Sequence, residues 1–169
     1  TYALGSECQD LPAFVAIPDP RGVPQAGPNH WNSAFLPAAF QGTAFGADRP
    51  IPHLARPEKI TPAADVASRE FLAKLNAKHA AEHPGESDLA ARIASYEMAA
   101  RMQMAAAEVG DLSRETANTL NAYGADDANK NKAGFAKNCL LARRLLERGV
   151  RFVQLFNGAY AMGEGVGNW

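Results

Sequence analysis

LPAFVAI, residues 11–17, is a short apolar run that is closed by Pro18 and Pro20. An apolar run of this length bounded by prolines is typical of a buried strand. A second run, RFVQLF at residues 151–156, alternates in the manner of a strand. Helical patterns occupy most of residues 62–148 between the two. The order strand, long loop, helices, strand predicts an α/β fold.

Composition excludes several classes of protein. The 169 residues, 47 % apolar and 21 % charged, are the length and make-up of one globular domain and not of a disordered chain. The net charge of −1 provides no basic surface, so we expect no nucleic-acid partner. No apolar stretch approaches the ~18 residues that span a bilayer, so we expect no transmembrane segment.

Ten of the eleven prolines lie in residues 1–62. Residues 18–61 show no sustained period, yet they contain aromatic side chains such as Trp31, Phe35 and Phe45. Disordered segments are poor in aromatic residues. We therefore predict that residues 18–61 are an ordered loop that covers another part of the fold.

Capping residues and apolar spacing predict the helices. Thr61 followed by Pro62 is an N-cap with proline at the first helical position, and Pro84 ends the pattern that follows. A second helix is predicted from about Glu86 to Val109, and a short one ends at Gly124. A polar loop, 126–132, then precedes a last helix that ends at Gly149.

Apolar spacing also predicts which helix faces are buried. The predicted face of the second helix consists of Leu89, Ile93, Tyr96 and Ala100, and that of the last helix of Phe135, Cys139, Ala142 and Leu146.

His79, Glu82 and His83 match HxxEH, the inverted zinc-protease signature. On a helix both histidines would share one face and hold zinc, with Glu82 as the general base. Pro84 follows directly, which places the motif in the last turn of its helix. We therefore favour a solvated helix end, where histidine suits the helix dipole.

Asp127, Asn129 and Asn131 have the spacing of calcium-loop ligands. The position that requires glycine is Lys132, and the one that requires a bidentate glutamate is Asn138. These departures favour a polar loop over a calcium site.

The glycine-rich stretch 163–167 follows the last predicted strand. A dinucleotide loop would need glycine where Asn168 stands, so we do not expect a dinucleotide site here. A loop bordering some other site remains open, because α/β sheets place their sites beyond the carboxyl ends of strands.

Several helical side chains have competing interpretations. Met98, Met102 and Met104 favour core packing over a binding face. Arg101 and Arg143 have the chemistry to clamp an anion, but surface ion pairs are the commoner role of helical arginines. Cys139 is predicted to be a buried, unreactive thiol.

Four long segments together resemble one known family. They are residues 2–15, which lead into the first strand, the aromatic loop 29–45, the helical segment 83–103, and the helix and strand of 139–155. In this order they resemble the bacterial domain-of-unknown-function family 1501, which is classed with the alkaline phosphatase and sulfatase superfamily.

The resemblance implies a partial alkaline-phosphatase or sulfatase-like fold, in which this chain is an interior segment of one larger α/β domain. Its parts would be an entry segment and core strand at 1–17, the long loop at 18–61, a helical layer at 62–148, and a strand with a glycine-rich loop at 149–169. Parallel strands are normally buried on both faces. We therefore expect that other parts of the same protein complete the fold, and that the 169 residues alone bind a hydrophobic dye or aggregate.

The resemblance also implies a function. It suggests an exported, periplasmic or cell-envelope hydrolase that acts on a small sulfate or phosphate ester with the help of a divalent metal. The metal ligands and the nucleophile would lie outside these residues, so no catalytic residue is assigned and the chain alone would be catalytically incomplete. The alternative is a non-catalytic binding or assembly protein of the cell envelope with the same fold.

The candidate substrate contacts come from two segments. They are the polar residues of the aromatic loop with its tryptophan and the last two residues of the chain: Asn29, Trp31, Ser33, Gln41, Thr43, Asn168 and Trp169. For the loop residues the alternative is that they only hold an ordered loop in place.

Overall fold

The two predicted strands lie side by side in a parallel sheet. The computed structural model describes residues 7–24, 26–37, 40–47 and 56–158. Strand β1 (Phe14–Ile17) pairs in parallel with β3 (Phe152–Leu155), and Phe14 lies opposite Phe152. The long loop contributes a further strand, β2 (Thr43–Ala44), on the other side of β1. The order β2-β1-β3 confirms the α/β prediction.

Four α-helices occupy the region between β2 and β3 in the described part of the chain. They are α1 (Pro62–Glu82), α2 (Ser87–Gly110), α3 (Ala117–Tyr123) and α4 (Lys130–Glu147). The predicted start of α1 is confirmed, because the Thr61 side chain accepts a hydrogen bond from the Ala64 N–H at 3.2 Å. Gly124 ends α3 at a φ of 78°, a left-handed conformation that favours glycine. None of these helices is long and apolar enough to cross a membrane.

The predicted polar loop at 126–132 is wrong over its last three residues, which form the first turn of α4. Asn129 is the N-cap of this helix, and its side-chain oxygen accepts hydrogen bonds from the Asn131 and Lys132 N–H groups. Asp127 forms an ion pair with Lys132. The residues that resembled calcium ligands therefore start a helix.

One face of the sheet packs on α2 and α4. The shared core is made of apolar side chains from the strands, both helices and the segments beside them: Leu11, Val15, Ile17, Phe45, Met102, Ala106, Val109, Leu141, Ala142, Leu145 and Val150. Met102 is thus a core residue, as its spacing predicted.

The predicted apolar faces of α2 and α4 are confirmed in part: Ala142 lies in the core, and five of the other predicted residues are half-buried. Tyr96 and Leu146 are exposed, whereas Ala106 of α2 and Leu141 of α4 are buried. The buried side of α2 includes Ala91 and Ala106 together with Met102 and Val109. Several other alanines of α2 are exposed, so the spacing of its large apolar residues did not identify the face that packs.

The opposite face of the sheet is only partly covered. The ring of Phe14 contacts that of Phe152 edge-on, with centroids 4.9 Å apart. Trp31 ends a short 3-10 helix (Gly27–Trp31), is buried, and contacts the ring of Phe156 at 5.7 Å. Phe152 is 50 % exposed, although parallel sheets usually bury both faces.

Asn138 ties α4 to the sheet. It is 3 % exposed; its Nδ2 donates to the Pro18 carbonyl at 2.9 Å, and its Oδ1 accepts from the Ala47 N–H at 3.2 Å. Pro18 directly follows β1 and Ala47 follows β2. The side-chain amide of Asn138 therefore provides a hydrogen-bond partner for both chain segments where they leave the sheet.

We predict that Asn138→Ala lowers the free energy of unfolding by about 2 kcal/mol, because it leaves a partly buried carbonyl and a partly buried N–H without this partner. Urea denaturation measures the change. The control is Asn121→Ala, which alters an exposed asparagine of α3 and should stay within about 0.5 kcal/mol. Equal effects of the two substitutions would contradict the proposed role of Asn138.

Candidate functional site

The loops that follow β1 and β3 meet at the carboxyl edge of the sheet. Because the two strands are parallel neighbours, both chains leave the sheet on the same side, and the Phe156 N–H donates to the Ile17 carbonyl at 2.9 Å. Asp19 follows β1 by two residues, and Gly158 follows β3 by three. This edge is where open α/β sheets place their ligands.

Asp19 is the centre of this edge. Its Oδ1 accepts from the backbone N–H of Arg21 at 2.8 Å and from Arg21 Nε at 2.9 Å. Its Oδ2 accepts from Arg21 Nη2 at 2.8 Å and from the Gly158 N–H at 2.6 Å. We call Asp19, Arg21 and Gly158 the carboxyl-edge cluster. The carboxylate joins the two loops and is only 2 % exposed.

The hydrogen bonds decide the charge of Asp19. Burial by itself raises the pKa of the carboxyl, but the hydrogen bonds from Arg21 and Gly158 and the charge of Arg21 outweigh it and lower the pKa to about 2. Asp19 is therefore ionised at neutral pH and is not suited to act as a general acid. Its role is to fix positive and polar groups around it.

Among the described residues of this edge, Arg21 has the chemistry to meet a ligand. Its hydrogen bond with Asp19 raises the pKa of the guanidinium, so Arg21 remains charged. Its side chain is 29 % exposed, and Asp19 uses Nε and Nη2 but not Nη1. A planar guanidinium held in one orientation suits the oxygen atoms of sulfate, phosphate or carboxylate. The ion pair is neutral overall, so it orients an anion without attracting it over a long distance.

The described residues do not fit a divalent metal centre at this edge. No group of three or more histidine, cysteine, aspartate or glutamate side chains in the described ranges could hold a metal ion. Both carboxylate oxygens of Asp19 are already occupied by N–H donors. We therefore derive no chemistry through a metal from these residues.

The sequence-predicted contact residues divide between two places. Asn29 is exposed on the 3-10 helix, and Ser33, which is half-buried, follows that helix. Trp31 packs against Phe156, near the carboxyl edge. Asn168 and Trp169 lie outside the described residues.

Gln41 and Thr43 instead line a cavity of about 780 Å³ at the amino ends of β1 and β2, facing α2. Between them, the Gly42 N–H donates to the Trp31 carbonyl at 2.7 Å. A Cβ at Gly42 would lie 2.9 Å from the Phe14 ring and from Trp31 Cβ. Only glycine therefore lets the chain reach β2 along this path.

The other motif residues have structural roles. Arg101 Nε donates to the Gln9 carbonyl at 2.9 Å, and Arg143 pairs with Glu115 at 2.8 Å, as the ion-pair interpretation of Arg143 predicted. Cys139 is half-buried, and burial raises the pKa of its thiol, which agrees with an unreactive cysteine.

Sequence reasoning did not single out Asp19, Arg21 or Asn138. One signal was available for the first two. They come directly after the predicted strand 11–17, at the edge where α/β sheets bind ligands. Asn138 carried no such signal, because it lies within a helix and its partners are backbone groups 91 and 120 residues away.

The lowered pKa of Asp19 predicts a pH-dependent stability. A carboxyl whose pKa falls from 3.8 in the unfolded chain to about 2 on folding stabilises the fold fully above pH 4. This contribution, about 2 kcal/mol, is lost as the pH falls from 4 to 2. The free energies of unfolding of wild type and Asp19→Asn should therefore differ at pH 7 and converge near pH 2. The control is Asp126→Asn, which alters an exposed aspartate. A difference that stays constant with pH would contradict this role of Asp19.

The comparisons with known proteins identify one family. No curated protein and no solved structure is significantly similar to the chain. The family model described as protein of unknown function (DUF1501) matches residues 1–169, which is the whole sequence. The chain therefore belongs to the DUF1501 family of proteins of unknown function.

Proposed function

We propose that this chain is part of a metal-assisted hydrolase of sulfate or phosphate esters, with the anionic group of the substrate at the carboxyl edge of the sheet. The observation that carries the proposal is Arg21, which the buried carboxylate of Asp19 holds at this edge. The four segments resemble the domain-of-unknown-function family 1501, and the classing of that family with the alkaline phosphatase and sulfatase superfamily supports the same chemistry. Hydrolysis consumes one water and releases an alcohol and free sulfate or phosphate.

In this proposal Arg21 binds and orients the ester oxygens. The two hydrogen bonds to Asp19 fix the plane of the guanidinium before substrate arrives, so little side-chain freedom is lost on binding. The Gly158 bond to Asp19 couples the position of Arg21 to the loop after β3. Both loops would therefore be positioned together at the substrate.

A divalent metal and a nucleophile complete the proposed machinery. We assign the metal ligands to residues other than those described, because the described side chains include no group of three possible ligands. The resemblance places the nucleophile outside these residues as well. The metal would stabilise the negative charge of the transition state. The role of this chain is then to position the substrate anion.

Asn29, Ser33, Gln41 and Thr43, together with Trp31, remain proposed substrate contacts. Gln41 and Thr43 line the cavity beside α2 and suit an organic part of the substrate better than its anionic group, because the cavity is lined mainly by apolar side chains. Asn168 and Trp169 also remain proposed substrate contacts. We further propose that the protein is exported and lies in the periplasm or cell envelope.

One observation favours the alternative, a non-catalytic binding or assembly protein of the cell envelope. α1 has no buried residue, and it exposes Phe71, Leu72 and Leu75. Exposed apolar side chains grouped on one helix are typical of protein interaction surfaces. An assay of ester hydrolysis distinguishes the two functions.

We predict that the intact protein hydrolyses an aryl sulfate or an aryl phosphate when a divalent cation is supplied. Arg21→Gln should lower kcat/KM by ten- to a hundredfold, because it removes a charged hydrogen-bond donor. Arg21→Lys, which keeps the charge but not the planar fork, should retain part of the activity. Steady-state kinetics measure both effects.

The matched control is Arg69→Gln, which removes an exposed arginine paired with Asp65 on α1 and should leave the kinetics unchanged. Circular dichroism must show that each variant is folded, since Arg21→Gln leaves Asp19 without its partner. The proposal fails if the intact protein turns over neither ester with any divalent cation, or if folded Arg21→Gln is as active as wild type.

A further inference from the structure

The C-terminal end of α1 brings two histidine rings together. His79 lies in the last turn and His83 is the C-cap residue, four positions later. Their ring centroids are 4.3 Å apart, and the ring planes are inclined by 50°. Both residues are exposed. On a helix, residues at this spacing are neighbours on one face.

A backbone bond fixes which nitrogen of His83 is available. His83 Nδ1 lies 2.9 Å from the His79 carbonyl oxygen. A carbonyl oxygen only accepts hydrogen bonds, so Nδ1 carries the proton and donates. In neutral imidazole the other nitrogen, Nε2, then has a free lone pair. Metal-binding histidines are typically held in this way, with one ring nitrogen bonded to a backbone carbonyl.

The C-cap geometry holds this arrangement in place. The His83 N–H donates to the Ala80 carbonyl at 3.2 Å, so the backbone of His83 closes the last turn of the helix. The chain does not continue as helix, since Pro84 follows. The second histidine is therefore anchored by both its backbone N–H and its ring Nδ1.

We propose that His79 and His83 form a two-histidine site for a borderline transition-metal ion such as Cu²⁺, Ni²⁺ or Zn²⁺. Imidazole nitrogen suits these ions, whereas Mg²⁺ and Ca²⁺ prefer oxygen ligands. The described residues provide no group of three ligands, so water or an outside ligand completes the coordination. The site differs from the zinc-protease interpretation of the same motif because it assigns no catalytic role to Glu82.

Calorimetric titration of the intact protein with Cu²⁺ and with Zn²⁺ tests the site. We expect one ion to bind per chain at this position, Cu²⁺ to bind more tightly than Zn²⁺, and Mg²⁺ not to compete. His79→Ala and His83→Ala should each weaken binding at least tenfold, because a two-ligand chelate becomes a single ligand. His30→Ala, which removes an exposed histidine elsewhere, is the matched control and should leave the affinity unchanged.

Electron paramagnetic resonance of the Cu²⁺ complex provides a second measurement. Wild type should show two nitrogen ligands at this site, and each single variant one. Both histidines are exposed at a helix end, so the variants should keep the wild-type circular dichroism. Binding that is unchanged in the folded double variant His79→Ala/His83→Ala, or the absence of binding in wild type, would overturn the proposal.

Discussion

The parallel pairing of β1 with β3 is the constraint on which the rest of the structure depends. It joins residues 14–17 to residues 152–155, so β2 and the four α-helices of the described ranges lie in the chain between two strands that pair with each other. A parallel connection cannot be made by a tight turn and requires a long crossover. The same pairing brings the loops after both strands to one edge, where Asp19 accepts the Gly158 N–H.

Two buried polar side chains fix the positions of the loops that leave the sheet. Asn138 holds the chain leaving β1 and the chain after β2, and Asp19 holds the loops after β1 and β3. Apolar packing alone does not select one position for such loops, whereas a hydrogen bond does. Each of these groups is satisfied by several partners, which is the condition under which a buried polar group stabilises a fold. The ion pair of Arg21 depends on the same carboxylate, so its position follows from the fold of the sheet.

The sequence predicted the elements better than the contacts between them. Strand and helix positions followed from local signals such as Thr61 before Pro62 and the apolar run before Pro18. β2 was missed, because two residues are too few to show an alternating pattern. The buried faces of α2 and α4 were predicted only in part: Ala142 lies in the core, but Tyr96 and Leu146 are exposed. Asn138 acts through two backbone groups distant in sequence, and Asp19 accepts one hydrogen bond from the distant Gly158; no local pattern records these contacts.

The two parts of the candidate site lie at opposite ends of the sheet, and this separation limits what the substrate can be. Thr43 is level with Val15 near the start of β1, whereas Asp19 lies four residues further along the chain. At about 3.3 Å per residue, four residues of fully extended chain span about 13 Å at most. A small aryl ester bound at Arg21 would not reach Gln41 or Thr43. If both groups bind one substrate, that substrate carries its ester at the carboxyl edge and an extended organic part toward the cavity beside α2. A small ester would instead leave Gln41 and Thr43 with the structural role of guiding the chain through Gly42 into β2.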